Sequence, residues 1–96
     1  MIGRLYDFIF SKQSERFLRK NTSRLTRTEV ETAVIKSIQR ITHEEVNSAD
    51  VIEMKGRGKG VFRTRFGGIR IVFSYLEGAV RIVTIDTIDF RGSVYH

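Results

Sequence analysis

Cysteine is absent from this 96-residue chain, which excludes disulfides, thiolate nucleophiles and Cys-ligated metals. Histidine is scarce: there are two, His43 and His96. His43-Glu44-Glu45 lacks the second histidine of a helical metalloprotease motif and reads as a solvated loop. No apolar run approaches ~20 residues, so no segment spans a membrane as a helix. Arg4 and Asp7 interrupt the first dozen residues, which therefore form no signal-peptide core. No repeat, low-complexity tract or linker divides the chain. The expectation is a single cytoplasmic domain over residues 1–96, with no metal and no cofactor.

What is present is basic. Seventeen Lys and Arg against eleven Asp and Glu give a net charge of +6, a balance that points to nucleic acid, a ribosome or an acidic protein partner. An apolar fraction of 41% supports a modest core, of the size that leaves a small domain with a thin stability margin.

Two helices precede a run of strands. Leu5 to Phe10 alternates, with Tyr6, Phe8 and Phe10 on one side, and reads as a strand. Ser11 can cap a helix from about Lys12 to Asn21 that carries Phe17 and Leu18. Thr26-Arg27-Thr28-Glu29 has the form of a capping box. Behind it, Val30, Val34, Ile38 and Ile41 make one apolar stripe of an amphipathic helix. The period then switches to two, predicting strands at Val51–Met54, Val61–Phe66, Ile69–Tyr75 and Ala79–Ile88. Gly67-Gly68 and Leu76-Glu77-Gly78 supply hairpin turns. The fold class is α+β: an antiparallel sheet of about four to five strands with two N-terminal helices packed on one face.

The charge is not evenly spread. Between Glu53 and Glu77 stand six basic residues and no acidic one. Lys55, Arg57 and Lys59 lie in a Gly-rich turn, Lys55-Gly56-Arg57-Gly58-Lys59-Gly60. No helix follows to complete a phosphate cradle, so this reads as a flexible loop making diffuse phosphate contacts. Arg63, Arg65 and Arg70 lie on adjacent strands, opposite the face that Phe62, Thr64, Phe66, Ile69, Ile71 and Phe73 give to the helices. A strand arginine ordinarily keeps an exposed face soluble. Three together, with no acid beside them in the sequence, call for a polyanion. After the last strand, Arg91, Tyr95 and His96 offer a cation, a ring for stacking and a group that ionises near neutral pH.

This ordered set resembles the RelE/ParE superfamily of toxins from type II toxin–antitoxin modules in bacteria and archaea. The resemblance runs through Met54-Lys55-Gly56, Val61-Phe62-Arg63-Thr64-Arg65-Phe66-Gly67, Ile69-Arg70-Ile71-Val72-Phe73 and the ending from Arg91 to Tyr95. It implies the RelE-like fold of a small sheet covered by two helices. For the RelE-like branch it also implies an endoribonuclease that cuts mRNA on the ribosome, driving the ribose 2′-OH onto the adjacent phosphate and so inhibiting translation.

By that resemblance Arg63 and Arg65 take the paired basic positions, Arg70 the phosphate-binding arginine, Arg91 the C-terminal arginine and Tyr95 the substrate-orienting tyrosine. Lys55, Arg57 and Lys59 would add contacts to RNA. Arginines with pKa values above ~12 clamp phosphate well and accept protons poorly, and Phe90 stands where many relatives have histidine. His96 is then the candidate for moving protons, ahead of Lys55 and Lys59. The partners implied are a cognate antitoxin, the ribosome and mRNA. The same fold also serves a ParE-like inhibitor of DNA gyrase without hydrolytic chemistry, or an inactive homologue kept as an antitoxin-binding protein.

Overall fold

Local signals in the chain set the elements, and the computed structural model describes residues 5–58 and 60–90 of them. Strand β1 (Leu5–Phe10) packs Tyr6, Phe8 and Phe10 against the core and leaves Leu5 and Ile9 exposed. Ser11 caps α1 (Lys12–Lys20), its hydroxyl accepting the Ser14 N–H at 3.1 Å. Helix α2 (Arg27–Ile41) opens on the expected capping box. Thr26 Oγ1 accepts the Glu29 N–H at 3.2 Å, and Glu29 Oε1 accepts the Thr26 N–H at 2.9 Å, satisfying two of the helix's otherwise orphaned donors. Then come β2 (Val51–Glu53), a 3₁₀ turn at Lys55–Arg57, β3 (Val61–Phe66), β4 (Ile69–Leu76) and β5 (Val80–Phe90). Gly67 turns the β3–β4 hairpin at φ 59°, a conformation open to glycine without a Cβ clash.

The five strands lie in the order β1-β5-β4-β3-β2. Strands β2 to β5 form the expected antiparallel meander, but β1 pairs parallel to β5, from Leu5↔Val80 to Phe10↔Ile85. The sheet is therefore mixed rather than wholly antiparallel. After β1 the chain passes through both helices and enters the sheet at its far edge, and three reversals bring β5 back alongside β1. Hairpin signals fix neighbours in sequence; the partner of β1 is the last strand to arrive.

Both helices cover one face. Phe17, Leu18, Leu25, Val30, Val34 and Ile38 meet Ile69, Ile71, Phe73, Val83, Ile85 and Ile88, all buried. Between α2 and β3 a polar contact crosses this core: Ser37 Oγ lies 2.8 Å from Thr64 Oγ1, so neither buried hydroxyl is left unpaired.

Strand β5 carries a bulge. Val72 faces Thr87 and Phe73 faces Ile85, so Asp86 is an extra residue with no partner across the ladder. The β1–α1 junction takes up the displaced backbone. Ser11 N–H reaches Ile85 O at 3.0 Å, Ser11 Oγ lies 2.7 Å from Asp86 O, and Ser14 Oγ donates to Ile85 O at 3.1 Å. Beyond the end of β1, the Gln13 amide donates to Ile88 O at 2.7 Å and accepts the Ile88 N–H at 2.9 Å.

The segment after α2 is exposed at His43, Glu44 and Glu45, as the sequence suggests, but its backbone closes on the helix and one of its carboxylates reaches the sheet. The helix ends with His43 at φ 62°, its N–H on Arg40 O at 3.2 Å and the Glu44 N–H on Gln39 O at 2.9 Å. That pair of bonds is a Schellman closure, with histidine in the left-handed position usually given to glycine. The reversal carries Glu44 to Arg81 of β5. The Arg81 side chain, 2% exposed, binds Glu44 at 2.9 and 2.5 Å, Glu77 at 3.0 and 3.1 Å and Tyr6 Oη at 2.9 Å. Buried and so surrounded, its guanidinium is held still more firmly protonated than usual, chiefly by the hydrogen bonds to Glu44 and, less strongly, to Tyr6 and Glu77.

Candidate functional site

The sheet face away from the helices divides into two halves. Near the start of β1 and β5 it is apolar: Leu5 stands beside Val80 and Ile82 beside Leu76, all exposed. Further along it is charged. Arg65 and Arg70 are direct partners across the β3–β4 pair, and Arg63 faces Val72. The period-two pattern that buries Phe62, Thr64 and Phe66 puts Arg63 and Arg65 on this side, as expected from sequence.

Two expectations about these arginines need correction. The first is their lack of counter-charge. Asp50, just before β2, is brought alongside β3 by the β2–β3 pairing. Its Oδ1 lies 3.3 Å from Arg63 Nη1, and its Oδ2 lies 3.3 Å from Arg65 Nη1. Asp89 of β5 faces Arg70 in register, with contacts of 3.2 Å to both Nε and Nη2. A scan of the 53–77 segment could not find these acids, because they are neighbours through the sheet and not along the chain. The hydrogen bond from Arg63, helped by the charges of Arg63 and Arg65, holds the Asp50 carboxyl below its ordinary range despite some desolvation.

The second correction concerns Arg63. It does not project freely but is 6% exposed, with Nη1 also donating to the Asp50 backbone carbonyl at 3.3 Å. Arg65 and Arg70 remain partly accessible. Arg65 Nε is buried and has no hydrogen-bond partner among the described residues. Such an N–H is costly to leave unmade. Behind Arg65, a cleft of about 310 Å³ opens between α2 and β3, bordered by Thr32, Lys36, Asp50 and Phe66.

Of the Gly-rich turn, Lys55–Arg57 forms one 3₁₀ turn, with both basic side chains exposed. Lys59 lies outside the described residues, as do Arg91, Tyr95 and His96. The structure thus brings together Arg63, Arg65 and Arg70 of the expected site residues, and adds Asp50 and Asp89 as the groups that hold them.

Asp86 is a further carboxylate on this face, beyond Asp50, Asp89 and, in the apolar half, Asp7. Ile85 and Ile88 both point into the core, so Asp86 and Thr87 between them are turned to the open side. Partial burial raises the Asp86 carboxyl above its ordinary value, against a smaller opposing pull from Arg57. Sequence reading passed over it, although one signal was there. Apolar residues three apart in a strand, Ile85 and Ile88, break the period of two and mark a bulge. Among the described residues no group of three or more His, Asp or Glu is gathered to hold a metal ion, and no helix is long and apolar enough to cross a membrane.

No protein family matches the sequence, and no curated protein does. Among solved structures, the chain is similar to one in the crystal structure of the RelB–RelE antitoxin–toxin complex from Methanococcus jannaschii. The identity is 17%, the TM-score is 0.49, and the match covers 91% of this chain and 94% of that one.

Proposed function

We propose that this chain is the toxin of a type II toxin–antitoxin module and acts as an endoribonuclease on ribosome-bound mRNA. The observation that carries the reading is the basic half of the open face, where Arg65 stands directly opposite Arg70 and Arg63 lies two residues away. Cleavage by 2′-OH attack passes through a phosphorane with two negative charges, and guanidinium groups fixed before the substrate arrives stabilise that charge. Asp50 and Asp89 do the fixing. Partly exposed ion pairs of this kind are weak, so a phosphate can share or displace them. By the sequence resemblance Arg63 and Arg65 would take the family's paired basic positions and Arg70 its phosphate-binding arginine, which supports this reading.

The apolar half of the face, with Leu5, Val80, Ile82 and Leu76 exposed, favours a protein partner as well. An acidic, amphipathic antitoxin segment would cover the apolar residues and neutralise the arginines. The same surface supports a second reading, a ParE-like protein that binds DNA gyrase without cutting RNA.

Primer extension on a translated mRNA, with ribosomes, tests the reading by comparing wild type with Arg70→Ala. Arg70 is the better probe because it is partly exposed, whereas removing Arg63 disturbs a buried contact. Codon-phased cleavage that disappears in the variant is the expected result. Growth arrest by the wild type with intact mRNA would transfer the arginine face to the gyrase reading.

A further inference from the structure

Three arginines can clamp a phosphate, but none readily accepts a proton at neutral pH, so the described face needs another group to activate the 2′-OH. The carboxylates on it are not equivalent. Asp50 is engaged by Arg63 and Arg65, and Asp89 by Arg70. Asp86 has no side-chain hydrogen bond or ion pair among the described residues, although the bulge turns it onto the same open side. Resting on the ribonuclease reading above, we propose that Asp86 is the general base that takes the 2′-OH proton.

The geometry behind this is the register of the sheet. Thr87, Val72 and Arg63 form one row across β5, β4 and β3. Asp86 stands at the β5 end of that row, at the point where the strand is expanded. Two strand spacings, about 9–10 Å, separate the backbone of Arg63 from this end, with Val72 as a buried apolar floor between them. A nucleotide laid along this face would set its 3′-phosphate against Arg65 and Arg70, which are partly accessible, and its 2′-OH towards Asp86.

The charged groups sharing this side are Arg57 from the 3₁₀ turn, Asp50 before β2, Arg63 and Arg65 of β3, Arg70 of β4, Asp89 of β5 and, in the apolar half, Asp7 of β1. From the β1–α1 junction the contacts are the neutral hydroxyls of Ser11 and Ser14 on the bulge carbonyls. Partial desolvation makes Asp86 a stronger base than a solvated aspartate.

In the step itself, the Asp86 carboxylate takes the 2′ proton while the O2′–P bond forms and the P–O5′ bond breaks. The leaving 5′ oxygen takes a proton from water, and Asp86 returns its own proton to solvent. The products are a 2′,3′-cyclic phosphate and a 5′-OH, with no oxidant, metal or cofactor in the balance.

The test is single-turnover cleavage on programmed ribosomes by wild type, Asp86→Asn and Asp86→Glu, across a pH series. The isosteric Asp86→Asn should slow cleavage by about 10²-fold or more and lose the ascending, low-pH limb of the rate profile. Its binding to an uncleavable 2′-deoxy substrate should not change. Asp86→Glu should recover part of the rate with a shifted limb, which a purely structural role for Asp86 would not produce. If Asp86→Asn cleaves at the wild-type rate with the same profile while Arg70→Ala is inactive, Asp86 is not the base and the ribonuclease reading stands. Absence of cleavage by the wild type overturns both.

Discussion

Glu44 Oε2 lies 2.5 Å from Arg81 Nη2, joining the turn after α2 to the start of β5 across 37 positions of sequence. Glu77 approaches the same guanidinium from the β4–β5 turn. A single buried cation thus closes the end of the sheet opposite the charged half of the open face. Burying the arginine alone would be prohibitive; with two carboxylates and a phenol around it, the arrangement is self-consistent. Its stabilising worth shows most clearly when one partner is removed.

Arg81→Met should therefore destabilise the domain by about 1–3 kcal/mol, through loss of its charge-assisted hydrogen bonds to Glu44, Glu77 and Tyr6, while the part-exposed carboxylates left behind rehydrate. Glu77→Gln, at a half-exposed partner, should cost less than about 1 kcal/mol. Urea denaturation of both variants measures the difference. Equal losses would mean that the cluster does not centre on Arg81.

His43 supplies the bend that brings Glu44 to this cation, and it does so at φ 62°. A side chain in that region is strained by about 1–2 kcal/mol relative to glycine. His43→Gly should consequently stabilise the fold by a net ~0.5–1 kcal/mol, since the greater freedom of glycine in the unfolded chain offsets part of the relief. For a domain of this length each ~1 kcal/mol corresponds to roughly 4–8 °C in Tm. A fall in Tm would show that the imidazole contributes more than a conformation.

At Asp50 the prediction concerns both pH and binding. Its carboxyl titrates below its ordinary range in the fold, chiefly through the hydrogen bond from Arg63. The pair's contribution to stability is complete above the unfolded value of about 3.9 and is lost as pH falls through the lower, folded value. Asp50→Asn should thus be less stable than wild type near neutral pH, with the gap closing in acid. If the ribonuclease reading holds, it should also bind RNA more tightly, with a steeper salt dependence, because Arg63 and Arg65 lose a competing anion. Denaturation at several pH values and a salt titration of RNA binding check the two halves separately.

Much of this was legible in the chain. The Thr26–Glu29 box, the Val30-Val34-Ile38 stripe and the Gly67-Gly68 turn are local devices, and each specifies its element from a few residues. The alternation in β3 and β4 likewise put Arg63, Arg65 and Arg70 on one face. What sequence hid was whatever the sheet assembles from a distance: the parallel β1–β5 pairing, the acids Asp50 and Asp89, and the contact from Glu44 to Arg81. Arg81 itself sits in an ordinary-looking strand, Val80-Arg81-Ile82-Val83, where nothing nearby predicts that an arginine is buried. Asp86 is intermediate. Its bulge is written in the Ile85–Ile88 spacing, but its position on the arginine side emerges only from the register.

Gln13 has a consequence for how the molecule meets others. Past Phe10 the outer edge of β5 has lost its neighbouring strand, and the Gln13 amide presents Ile88 with one donor and one acceptor, as a strand residue would. A side chain impersonates the backbone there. That closes a stretch of exposed ladder on which another chain could otherwise template itself, so self-association at this margin is suppressed by a single amide. A binding partner is steered away from this margin, towards the sheet face or the outer strands.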